Sequence, residues 1–204
     1  GKRPLAVTIV YSGGDDVFLV GAWNDTLEAC LRIRAALRQF SCGSLTISGG
    51  LCVTDDSYPI RLAAERAGEL EDRAKDEPGK DAIALFDPFL EHTYHWEEFS
   101  ENVLGTKCAL LTRFFRSDDA ARGNSFLYRI VDLLRSAERD GKLALARYAY
   151  LLARLAPPVS SPAYRGYKEF SEKMYAWALD AAQRKQLITA IYIHVYENRE
   201  GDTE

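Results

Sequence analysis

The sequence predicts an α+β protein, with a mixed strand-and-helix half followed by an all-helical half. Three observations predict it. Short β-branched or aromatic runs alternate with amphipathic segments as far as Phe86. Gly-Gly pairs punctuate those runs at residues 13–14 and 49–50. From Trp96 onward only helix-period patterns remain. The change places a domain boundary between segments 1–95 and 96–204.

The first half is organised around residues 5–21, LAVTIVYSGGDDVFLVG. Residues 5–11 are rich in Val, Ile, Thr and Tyr, and residues 17–20 are apolar. Such runs around Gly13-Gly14-Asp15-Asp16 read as two antiparallel strands and a tight turn. Apolar residues on both faces predict that the hairpin lies in the middle of a covered sheet. The glycines tolerate φ > 0 and leave backbone N–H groups uncovered, so a phosphate can come close. Asp15 and Asp16 put two carboxylates at the tip, where they repel each other. A divalent cation would relieve that repulsion and add positive charge for phosphates. The pattern points to a Mg²⁺–nucleotide site. The competing reading is a solvated turn, in which Gly and Asp are ordinary residues.

Asn24 or Asp25 can cap the next helix, and Glu28 completes a capping box with Asp25. That helix ends near Phe40. Residues 45–53, LTISGGLCV, read as a strand whose glycines mark a bulge or a close approach. Pro59 opens a second helix, with Ile60, Leu62, Ala63, Ala67 and Leu70 on its apolar side. Lys75 lies near its end and Lys80 in the loop beyond it. Residues 81–86 form another strand. This order predicts a small, mostly antiparallel sheet with helices on one face. Residues 87–95 are a connector, whose His92 and His95 are too few for a convincing metal site.

The second half predicts about five helices, over residues 96–115, 124–139, 143–155, 167–182 and 184–196. Gly141 is a stop, residues 157–162 a rigid loop, and the acidic tail from Asn198 is expected to fray. Arg147 and Arg154 lie seven apart on one helix, with Tyr148 and Tyr150 nearby. This is a solvated cationic face, or a surface for RNA or a partner protein. Met174 and Trp177 read as core.

Composition bounds the rest. The chain is 47% hydrophobic and 27% charged, enough to build an ordinary globular core. The net charge of −4 argues against broad nucleic-acid binding, although a local basic patch would not show in the total. No apolar stretch reaches the roughly 20 residues that span a bilayer, and no signal-peptide pattern is present. Cys30, Cys42, Cys52 and Cys108 form no C-x-x-C pair, which suits reduced thiols and a cytoplasmic protein. Gly1-Lys2-Arg3-Pro4 runs straight into a strand that reads as central, so the chain is expected to be the C-terminal piece of something longer.

The ordered set YSGGDDVFLVGAW, the helix ending at Phe40, LTISGGL, YPIRLAAERAGELEDRAK, Gly79-Lys80, Ile83, Leu85-Phe86 and Trp96-Glu97-Glu98-Phe99 carries a resemblance. It resembles the second palm domain of the large signature subunit of type III CRISPR effector complexes. The later helices are similar to that family's C-terminal domain. The Trp96 junction and the tail helices look most like the III-A (Csm) branch. Diguanylate cyclases have a similar palm, but their turn reads GG(D/E)EF, where this chain has Asp16 and Val17.

The resemblance implies a polymerase/cyclase-like, ferredoxin-like palm, here lacking its first strand, followed by an all-α bundle. It implies synthesis of cyclic oligoadenylates from ATP when target RNA is bound, in antiviral defence. Asp15 and Asp16 would be the catalytic residues and would hold Mg²⁺ or Mn²⁺. Ser12, Gly13, Gly14, Lys75 and Lys80 would bind the nucleotide. The implied partners are the rest of the same subunit (first palm and HD domain), other effector subunits, CRISPR RNA and target RNA, with no membrane. A further metal-binding Asp of the family falls on a strand that would precede residue 1. The isolated 204 residues are therefore expected to make no cyclic product. The alternatives are a cyclase acting on GTP and a scaffold palm within the RNA-guided complex.

Overall fold

A computed structural model describes residues 3–87, 92–115 and 124–199. The chain divides into two compact units, Gly1–Trp96 and Glu97–Glu204. The α+β class is borne out: among the described residues the strands all lie in the first unit, and the second is helical.

The first unit runs β1 (Val7–Gly13), β2 (Asp16–Gly21), α1 (Trp23–Phe40), β3 (Gly49–Cys52), α2 (Ile60–Asp76), β4 (Ala82–Phe86) and β5 (Thr93–His95). Two separate sheets form, and not one mostly antiparallel sheet. β1 and β2 make an antiparallel pair, interrupted by a register shift between Ile9 and Tyr11. β4 lies between β3, parallel to it, and β5, antiparallel to it. A strand buried on both faces reads as a continuous apolar run. β4 is that strand, AIALF, and every residue in it is buried. Leu70 and Ala74 of α2 pack with Ala82 and Ala84 to form the core there.

The expected covering of the hairpin is corrected. Ile9 is 65% exposed and Val10 55%, because among the described residues β1 and β2 pair only with each other. Two further expectations change. α1 begins after Ala22 without a side-chain cap, and Asp25 is turned inward. It accepts from the backbone N–H of Ala6 at 2.6 Å and pairs with Arg3, so it joins α1 to β1. β3 is shorter than the sequence suggests. Ile47 gives its carbonyl to the Trp96 indole N–H at 2.8 Å, and the Ser48 hydroxyl bonds toward Ala74, so the ladder begins only at Gly49. Gly50 marks a close approach: a Cβ there would sit 2.2 Å from the Ala67 carbonyl oxygen of α2.

The second unit contains the rest of α3 (Trp96–Glu98), a π-helix (Phe99–Cys108), α4 (Ala109–Phe115), α5 (Asn124–Asp140), α6 (Lys142–Ala153), α7 (Tyr164–Leu179) and α8 (Ala181–Arg199). The single helix expected over residues 96–115 is thus three segments. In the middle one Thr106 turns its hydroxyl back to the Glu101 carbonyl, five residues earlier, at 2.8 Å. The wide turn is of the kind that often marks special sites. Here it buries Phe99, Val103, Lys107 and Cys108 together. Lys107 donates to Gln183 and Gln186 at 2.7 Å each and lies over the Trp177 ring. Gln186 in turn donates to Glu98 at 2.6 Å. Burial holds the Lys107 ammonium below its ordinary pKa. Gly141, with φ 52, separates α5 from α6 as its sequence suggests. Met174 is buried as predicted, whereas Trp177 is only partly covered. Most of the tail expected to fray, residues 200–204, lies outside the described residues, as do residues 88–91 of the connector. No described helix is long and apolar enough to cross a membrane.

Candidate nucleotide and metal site

The hairpin tip is built by its own sequence. Gly13 pairs with Asp16 across a two-residue loop of Gly14 and Asp15. Gly14 has φ +64 with open space around it, the conformation that glycine adopts at least cost. Asp15 and Asp16 are both exposed, one in the loop and one opening β2. Ser12 is exposed as well and lies opposite Val17. Gly13 is less open than the sequence implies. The Tyr11 side chain folds over it, with Oη 2.8 Å from where a Cβ would be. A side chain added at Gly13 would meet that ring.

Lys75 is the residue that the fold brings toward the tip. It lies in the last turn of α2 and pairs with Glu71 at 2.7 Å. The Glu71 hydrogen bond holds its pKa above the ordinary lysine value, and the Asp16 carboxylate adds to the effect. No local pattern signals that neighbourhood, because the 58 positions between Asp16 and Lys75 contain most of two helices and a strand.

Lys80 is positioned by backbone geometry. Gly79, Lys80 and Asp81 take φ of +80, +56 and +53, a left-handed run that costs non-glycine residues about 1–3 kcal/mol each. Four bonds hold it. Lys80 N–H donates to Glu77 at 2.8 Å, and its carbonyl accepts from His95 Nδ1 at 3.0 Å. Asp81 takes a bidentate pair from Arg34 of α1 at 3.1 and 2.6 Å, and its carbonyl accepts from Trp96 N–H at 3.1 Å. The Lys80 side chain is exposed, while its backbone N–H and carbonyl are taken up by Glu77 and His95. His92 is buried edge-on against Phe86, so the two histidines serve the fold around β5.

The donor set fits a hard cation. Mg²⁺ is commonly held by one or two carboxylates, with substrate phosphates and water completing the shell. Asp15 and Asp16 supply that number. Among the described residues no group of three or more potential ligands comes together. Asp25, at the open end of the hairpin, is buried and committed to Ala6 and Arg3. Its pKa is held down, first by the Ala6 hydrogen bond.

Two family models match the chain. Residues 3–84 match the Cas10/Cmr2 second palm domain, and residues 112–200 match the second helical domain of the Cmr2 subunit of the CRISPR RNA silencing complex. Three relatives are named as the CRISPR system single-strand-specific deoxyribonuclease Cas10/Csm1 of subtype III-A. The Mycobacterium tuberculosis protein is 39% identical over 99% of this chain and 24% of its own length. The Streptococcus thermophilus protein is 34% identical over 95% and 25%, and that of Enterococcus italicus 37% identical over 96% and 24%. The chain thus spans about a quarter of the length of these curated relatives. Fold and matches together define a palm followed by a helical domain, of the kind carried by CRISPR effector subunits. The chain belongs to the Cas10/Csm1 large-subunit family of type III CRISPR systems and covers its second palm and helical domain.

Proposed function

We propose that this palm is the nucleotide half-site at which the large subunit makes cyclic oligoadenylates from ATP once target RNA is bound, in antiviral defence. The observation that carries the reading is two exposed carboxylates at a glycine turn with Lys75 within the field of Asp16. Asp15 and Asp16 would hold Mg²⁺ or Mn²⁺. Bound there, the cation would lower the pKa of a ribose 3′-hydroxyl and draw charge from an α-phosphate. Gly14 leaves room for the phosphates, with Ser12 beside them. Lys75 and Lys80 add mobile point charges for the triphosphate. Lys75 would exchange its bond to Glu71 for one to phosphate.

The nuclease activity in the relatives' names belongs to proteins about four times as long. The partners of this half-site would be the remainder of the large subunit, including a first palm and an HD domain. Other effector subunits and the two RNAs would complete the cytoplasmic assembly. The exposed apolar strand at Ile9 and Val10 suits contact with that remainder.

The test uses the complete effector complex with matched target RNA and Mg²⁺, given ATP or GTP, and identifies products by mass spectrometry. The expected result is cyclic adenylates from the wild type and none from the Asp15→Ala, Asp16→Ala variant. Adenylates that persist in the variant would move the chemistry to another site, and guanylates would assign the palm to GTP.

A further inference from the structure

The surface of α6 carries the inference. From Lys142 to Lys168 the sequence has no Asp or Glu, while Lys142, Arg147, Arg154, Arg165 and Lys168 supply five cations. This lies within a chain of net charge −4. Ala144, Tyr148 and Leu152 anchor α6 inward, and the Tyr148 hydroxyl donates to the Met174 carbonyl at 2.9 Å. That fixes which face is outward: Lys142, Leu143, Arg147, Tyr150 and Arg154 are all exposed. Tyr150 is 66% exposed, an unusual position for a large aromatic ring.

Other helices of this protein show what its solvated faces look like. α1 pairs Arg32 with Glu28, α2 pairs Arg61 with Glu65, and α7 pairs Lys173 with Glu169 and, at the far end of the cationic run, Lys168 with Glu172, all four residues apart. α6 has no acid with which to do this. The cations continue into the first turn of α7, where Arg165 is exposed and no acid occurs. Placing positive charge at a helix N-terminus runs against the macrodipole and reinforces the same sign.

We propose that the outward face of α6 and the start of α7 bind single-stranded nucleic acid. Lys142 to Arg154 climbs roughly 18 Å along the helix, too far for one small anion to bridge. A polyanion spans it. Protein interfaces deplete lysine and mix charges at their rims, whereas an acid-free stripe with an exposed ring between two arginines suits a sugar–phosphate chain. The guanidinium groups take phosphates, and Tyr150 gives a base a flat surface to stack on.

The experiment titrates fluorescent 20-nucleotide oligo-U and oligo-dT with the 204-residue chain, by anisotropy, between 50 and 200 mM salt. Lys142→Ala with Arg147→Ala should weaken binding about tenfold or more and reduce the salt slope by about 1.4, from about 0.7 for each lost phosphate contact. Tyr150→Ala should cost roughly five- to a hundredfold with these oligomers and nothing with an abasic strand. Arg32→Ala with Arg61→Ala, an equal loss of charge on α1 and α2, should leave affinity within about twofold. The two oligomers distinguish RNA from DNA as the source. Wild-type protein that fails to bind either overturns the proposal, as does an equal loss in the control pair, and either result would leave the face to solvent or an acidic protein partner.

Discussion

Asp16 and Asp25 show how residues of one type take opposite roles a few positions apart. Asp16 is exposed, in the field of Lys75, and free to accept a cation. Asp25 is 2% exposed and spends its oxygens on Ala6 and Arg3. Its lowered pKa gives a pH signature. A carboxyl held below its unfolded value contributes stability that is complete above that value and lost as pH falls through the folded one. Wild-type protein should therefore lose stability more steeply than Asp25→Asn as pH drops below about 4. Urea unfolding midpoints from about pH 6 to pH 2.5 measure this, and parallel curves would show that the Ala6 and Arg3 contacts do not hold the charge. The sequence singled out Asp25 but assigned it to capping. Nothing local reveals that the backbone N–H of Ala6, nineteen positions earlier, lies within reach of its carboxylate.

The elements that were legible in the sequence are those whose signal is local. β4 was readable from an unbroken apolar run, α2 from Pro59 and its apolar side, and the hairpin from Gly-Gly between β-branched runs. β5 was not, because three residues inside a polar connector carry no period of their own. The π-helix was missed for a related reason: its turn is set by Thr106 and by partners on α8, not by apolar spacing. Gly50 is where an element's sequence and its packing meet. Besides the Ala67 oxygen, an added Cβ would lie 2.5 Å from the Glu71 N. Gly50→Ala should push α2 off β3 and cost about 1–3 kcal/mol in chemical denaturation. The same shift would displace Glu71 and its partner Lys75. A variant as stable as wild type would mean that the helix yields freely at that point.

At the scale of the molecule, a pattern visible as a whole can hide what one face does. The net charge of −4 argues against nucleic acid, yet the acid-free run from Lys142 to Lys168 gathers five cations in one stretch. In the same way, the ordered motifs identified the family, while the geometry around Asp15 and Asp16 came only from the fold. Tyr11 over Gly13 and Lys75 near Asp16 both depend on how β1, β2 and α2 are arranged.

The central claim is that the Gly14–Asp15–Asp16 turn holds a divalent cation with a nucleotide. Paramagnetic broadening of backbone amides in the 204-residue chain by substoichiometric Mn²⁺ with ATP tests it most directly. The account predicts broadening centred on residues 12–17 and on the end of α2 around Lys75, abolished by Asp15→Ala with Asp16→Ala. Broadening centred elsewhere, or unchanged in that variant, would contradict it.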